Sequence, residues 1–119
     1  MLAYRIVPRL PPEEGHFRSF EAEGRIVPPD APDEVRRKWP GVSAYGTVER
    51  AAHEVRSVAR RARLGGYYAL LELPDRVRVE VDPPSRFGSH LTILGETPSS
   101  LLGYVIDAGE LPQPERGVQ

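Results

Sequence analysis

The chain contains no cysteine among its 119 residues. That excludes disulfides, thiolate nucleophiles and thiolate metal sites together, and it fits a cytoplasmic protein. No apolar run approaches the length of a membrane span, and the N-terminus MLAYRIVPRL lacks the h-region and cleavage site of an export signal, so no membrane association is expected. A net charge of −1 gives the whole chain no pull towards nucleic acid, which ranks last among its possible partners. Lys38 is the single lysine, so the cations are otherwise arginines, suited to bidentate contact with phosphate or carboxylate. The triplet Arg36-Arg37-Lys38 reads as a solvated face. Trp39 is the single tryptophan and reads as a plug at the edge of the core before it reads as a stacking platform.

Several chemistries are missing as well. There is no P-loop and no glycine-rich dinucleotide fingerprint after a strand. His16, His53 and His90 are scattered, with no HxxxH or HxH pair, so no metal site is expected. Gly41-Val42-Ser43-Ala44-Tyr45 falls one residue short of a GxSxG elbow, which makes a nucleophilic serine hydrolase a poor fit.

What is present suits one folded domain: 39% hydrophobic and 28% charged residues, with 13 prolines placed mostly between the periodic segments. The organising stretch is Gly41–Gly66, a small-residue turn bearing three hydroxyls that leads into a single amphipathic helix. Val48, Ala51, Ala52, Val55, Val58, Ala59 and Ala62 recur at helical spacing, Thr47 is placed to cap the start, and Gly65-Gly66 ends the run. Before it, Leu2–Val7 alternates as a strand with Leu2, Tyr4 and Ile6 on one face and Ala3, Arg5 and Val7 on the other. Short helices are expected after Pro11-Pro12 and after Asp33.

After the helix, Tyr67–Leu73, Arg76–Asp82 and His90–Leu94 read as strands. Val77, Val79 and Val81 face inward while Arg78 and Glu80 face out. Pro98–Leu102 reads as a helical turn and Leu101–Ile106 as the last strand. The expected fold is α+β: one domain over residues 1–107, with a long helix packed on a twisted, mostly antiparallel sheet, and a polar tail over 108–119.

The polar residues left for function stand at strand ends. They are Arg5 on the first strand, Ser43, Tyr45 and Thr47 before the helix, His90 opening a late strand, and Glu96 following it. Such a turn suits a small anionic ligand or a nucleotide. The plainer account is that Thr47 caps the helix, Ser43 and Tyr45 satisfy local backbone, and Arg5 lays its stem along the sheet.

The order Tyr4-Arg5-Ile6-Val7, then Gly41-Val42-Ser43-Ala44-Tyr45-Gly46-Thr47 running into an alanine-rich helix, then strands and a late acid, resembles the ADP-ribosyltransferase superfamily. That superfamily includes small bacterial RES-type toxin domains. The pattern is also similar to small bacterial proteins of the form YRIV…GVSxYxT…GHxTxxG. The superfamily resemblance implies NAD as substrate, with Arg5 gripping phosphate or ribose and Ser43 with Tyr45 positioning the nicotinamide ribose. It puts Glu96, or less plausibly Glu80, beside the oxocarbenium-like transition state, and His90 at the cleft edge as a hydrogen-bonding contact. Two functions are therefore expected in order: an NAD-consuming transferase or glycohydrolase, and a non-catalytic domain binding a small anion, a protein partner or a second copy of itself.

Overall fold

The computed structural model describes residues 1–113. Six strands, β1 (Leu2–Val7), β2 (Val42–Tyr45), β3 (Tyr67–Glu72), β4 (Arg78–Val81), β5 (His90–Leu94) and β6 (Val105–Glu110), form one antiparallel sheet in the order β4-β5-β2-β1-β3-β6. Four helices join them: α1 (Asp33–Lys38), α2 (Val48–Glu54), α3 (Val58–Leu64) and α4 (Pro98–Gly103), with a 3-10 turn at Glu14–Phe17. The fold is α+β, as expected. Among the described residues no helix is long and apolar enough to cross a membrane.

Strand alternation gives the sheet two different faces. The front face carries Ala3, Val7, Val42, Ala44, Ala69, Leu71, Leu91 and Ile93, and it packs with Phe17 of the 3-10 turn and Leu101 of α4 into the larger apolar core. The back face carries Ile6 and Tyr45, which pack against Ala51 and Val55 of α2 and against Leu111. A side chain on one face is shielded from the other by the sheet itself, so the face that each polar residue occupies decides what it can do.

The expected long helix is two short ones. α2 closes at Val55, whose φ and ψ of −109° and 29° leave the helix, and α3 restarts at Ser57, whose hydroxyl accepts from the Arg60 amide at 3.1 Å. Serine competes as a cap because its oxygen can satisfy a free amide. The Arg56 guanidinium donates to the His53 carbonyl at 2.8 Å, supplying a freed end-of-helix acceptor. The apolar stripe divides at the same place. Ala51 and Val55 are fully buried, whereas Val58 is 78% exposed and Ala59 and Ala62 face solvent. The period is continuous in sequence, but the residues beyond Ser57 that continue it are exposed.

Other boundaries move for similar reasons. Leu101 belongs to α4, where Thr97 caps the helix through the Ser100 amide and Pro98 starts it, so the last strand begins at Val105 rather than Leu101. β6 then runs past Asp107 to Glu110, pairing with β3, and Leu111 is 1% exposed. Residues expected to open the polar tail are therefore part of the sheet up to Glu110, while 114–119 lie outside the described residues. Val77, just before β4, is buried and Val79 within it packs on the front core, but Val81, at the end of this edge strand, is 54% exposed.

Gly65 explains why the connection from α3 to β3 needs glycine. Its φ is +121°, and a Cβ there would sit 2.2 Å from the carbonyl oxygen of Val7. The backbone must pass that close for β3 to pair with β1 along six residues, Leu2 with Glu72 through Val7 with Tyr67.

Candidate functional site

Ser43 lies on β2 between Val42 and Ala44, both of which point into the front core, so its hydroxyl projects from the back face. Register sets its neighbours: Ser43 pairs with Thr92, Tyr45 with His90, and Thr92 in turn with Glu80. His90 therefore emerges on the same face as Ser43 and Tyr45. Its Nε2 lies 3.1 Å from Ser43 Oγ, and its ring meets Tyr45 edge-on at 5.5 Å between centroids.

The other ring nitrogen has a partner that the sequence did not single out. His90 Nδ1 lies 2.9 Å from Asp82 Oδ2, and the Asp82 amide donates to the His90 carbonyl at 3.0 Å, so the carboxylate is held beside the ring by the ladder itself. Asp82 Oδ1 in turn accepts from Lys38 Nζ at 2.8 Å, and Lys38 also donates to Glu34 at 2.9 Å. The Lys38 hydrogen bond first, and then that of His90, holds the Asp82 carboxyl below its ordinary range against the opposing effect of burial. An ionised carboxylate can only accept, so Nδ1 carries the hydrogen. In the neutral ring Nε2 is then free to accept the Ser43 hydroxyl proton. The sequence placed Lys38 in a solvated basic triplet; instead it closes a continuous chain, Glu34–Lys38–Asp82–His90–Ser43.

Tyr45 is buried and its phenol is pushed up to about 12, chiefly by burial and secondarily by the Glu54 carboxylate. It is a structural wall of the site, with the Arg50 guanidinium 5.2 Å above the ring. Thr47 accepts from the Arg50 amide at 3.0 Å and donates to the Phe87 carbonyl at 2.5 Å. It therefore caps α2 and fastens the 83–89 loop at the same time. Gly88 makes room for it: φ is +126° and a Cβ would lie 2.6 Å from Thr47 Oγ1. Phe87 stacks on His53 at 4.2 Å, and the exposed Arg86 lies over the Phe87 ring at 4.9 Å.

Arg5 and Glu96 are placed elsewhere. Arg5 pairs with Ala69 on the front face, the opposite side of the sheet from the Ser43 hydroxyl. Its Nη1 donates to the Ser43 carbonyl at 2.8 Å and its Nε to the His16 carbonyl at 3.1 Å. Burial lowers its pKa, with Tyr45 and Glu23 acting in the other direction. Both contacts are to main chain, so Arg5 stitches β2 to the 3-10 turn. Glu96 lies past the far end of β5 from His90, a strand whose four residue steps span roughly 13 Å. Its carboxylate accepts from the Tyr104 hydroxyl at 2.8 Å, and Tyr104 packs on the front core. Glu80 is on the back face in the Ser43–Thr92 row, ion-paired to Arg37, with Thr92 buried between it and Ser43.

So the structure gathers Ser43, Tyr45, Thr47 and His90 at one end of the back face, and separates them from Arg5 by the sheet and from Glu96 by the strand length. Asp82 and Lys38 are the residues missed. Asp82 was legible in part: if Arg76–Asp82 and His90–Leu94 form a hairpin, residues 82 and 90 fall opposite one another. Nothing local marks Lys38. No protein-family model, curated protein or solved structure matches the chain.

Proposed function

We propose that the protein is a binding domain for a small ribosyl-containing anion, with NAD the first ligand to test, taken up on the back face at Ser43 and His90. The observation that carries this reading is the convergence of the Ser43 hydroxyl and the half-buried His90 ring, 3.1 Å apart on paired strands and backed by Tyr45. With the Ser43 hydrogen given to Nε2, the remaining lone pairs of Oγ can accept from a ribose hydroxyl. Anionic groups of the ligand would meet Arg86 on the adjoining loop, which is exposed and anchored through Phe87 to Thr47. Arg5 supports this site from behind by holding the Ser43 carbonyl, rather than touching the ligand. Support for the ADP-ribosyltransferase likeness comes from the order of strand arginine, hydroxyl turn and helix.

A second reading, NAD consumption, is favoured by one feature. Glu80 shares the cross-strand row of Ser43, and its buried Oε2 has no hydrogen-bonding partner. Glu80 would then take the role expected of Glu96. An NMR titration of labelled protein with NAD⁺, following nicotinamide in the same tube, tests both. Shifts at Ser43, Tyr45, His90 and Arg86 without nicotinamide support the binding domain, and nicotinamide release lost in Glu80→Gln supports the second reading. Absence of shifts at millimolar NAD⁺ (the weak end of specific affinity) removes the ribosyl reading altogether.

A further inference from the structure

Ser43, His90 and Asp82 come from three different strands or strand ends, yet they meet in a single line of hydrogen bonds: Oγ to Nε2 at 3.1 Å and Nδ1 to Oδ2 at 2.9 Å. We propose that this line is a nucleophile, a general base and the acid that orients it, and that Ser43 performs acyl transfer on small carboxylic esters. The spacing is what such chemistry requires, with hydroxyl and carboxylate each within hydrogen-bonding reach of opposite nitrogens of one imidazole. The proposal does not rest on the ribosyl ligand.

Each member is fixed from behind. The Ser43 main chain is held by its pairing with Thr92 and by Arg5 on its carbonyl. The His90 ring is set against Tyr45, and Asp82 is turned to Nδ1 while Lys38 occupies its other oxygen. Side chains carried on strands keep such geometry better than side chains on loops. The ring and the carboxylate are 27% and 35% exposed, so a small substrate can reach the line without the sheet opening.

In the reaction the Ser43 oxygen attacks the ester carbonyl carbon while its proton passes to His90 Nε2. The tetrahedral adduct collapses, the bond from carbon to the alkoxy oxygen breaks, and Nε2 returns the proton to the departing alcohol. Water then attacks the acyl-Ser43 ester, with Nε2 taking its proton and giving it back to Ser43 as the carboxylic acid leaves. Atoms and protons balance with water as the only co-reactant. Esters suit the site better than amides because an alcohol leaves with less assistance than an amine.

The test treats the whole 119-residue chain with a fluorophosphonate and, separately, with p-nitrophenyl acetate. The expected result is one covalent adduct, mapped to Ser43 by peptide mass, and nitrophenol release that disappears in Ser43→Ala. Asp82→Asn should lower the rate by about 100-fold or more, as loss of an orienting acid does. A serine whose hydroxyl is merely satisfied by a neighbouring imidazole would not acquire the adduct. No adduct, an adduct elsewhere, or equal turnover by a folded Ser43→Ala overturns the proposal. Adduct mapping on the unaltered chain decides between these outcomes even if a variant fails to fold. Labelling at Ser43 without NAD⁺ shifts would discard only the ribosyl reading, and NAD⁺ shifts without labelling would discard only this one.

Discussion

Replacing Arg5 with methionine separates a structural arginine from a ligand-gripping one. Arg5 gives two hydrogen bonds to main-chain carbonyls, at 2.8 Å to Ser43 and 3.1 Å to His16, and these join β2 to the 3-10 turn whose Phe17 is wholly buried. Hydrogen bonds from a charged donor contribute roughly 1.5–3 kcal/mol each. Methionine recovers the packing of the stem, and it removes the cost of holding a cation away from water, so part of that sum is offset. What remains is a net loss of about 3 kcal/mol, a large share of a typical stability of about 5–15 kcal/mol. For a chain of this length each kcal/mol moves the melting temperature by about 4 °C, which predicts a fall of about 12 °C. Urea unfolding should show a lower midpoint with little change in slope, because the same surface is exposed on unfolding. An Arg5→Met protein that melts with the unaltered chain but loses NAD⁺ shifts would refute this reasoning and return Arg5 to the ligand.

Two further outcomes follow from the structure. Gly65→Ala forces a side chain into a left-handed conformation and into contact with the Val7 carbonyl, so it should destabilise by about 2 kcal/mol or more and weaken the β1–β3 seam first, visible as faster amide exchange at Ala3–Val7. Tyr45, raised to about 12 in the folded chain from an ordinary value of 10.0, contributes stability that is complete below pH 10 and is lost as pH rises through about 12. Ultraviolet titration should therefore show one phenol ionising last, and Tyr45→Phe should remove that step and flatten the alkaline loss of stability.

The strands, the faces of β1 and the α+β class were readable because strand alternation and proline or glycine punctuation are local signals. Leu2–Val7 and His90–Leu94 have the same bounds in sequence and structure. The break at Val55–Ser57 was not readable, since the apolar period continues through it and nothing in that period marks Ser57 as a second cap. The hydroxyls of Ser43 and Thr47 and the ring of His90 were recognisable as polar groups at strand ends. Their grouping was not, because it depends on the pairing of β2 with β5 across forty-odd residues of chain. Serine chemistry looked poor because the local elbow is absent; His90 and Asp82 reach Ser43 only through sheet register. The clamp role of Arg5 came from the resemblance alone; its own strand position favoured a stem lying along the sheet, and the structure places it on the opposite side of the sheet from the Ser43 hydroxyl, donating to main-chain carbonyls. Sequence by itself determined which residues could alternate, cap and turn, since those preferences act within a few bonds. Tertiary structure alone decided which polar groups face one another, since a one-residue change of register reverses every side chain on a strand.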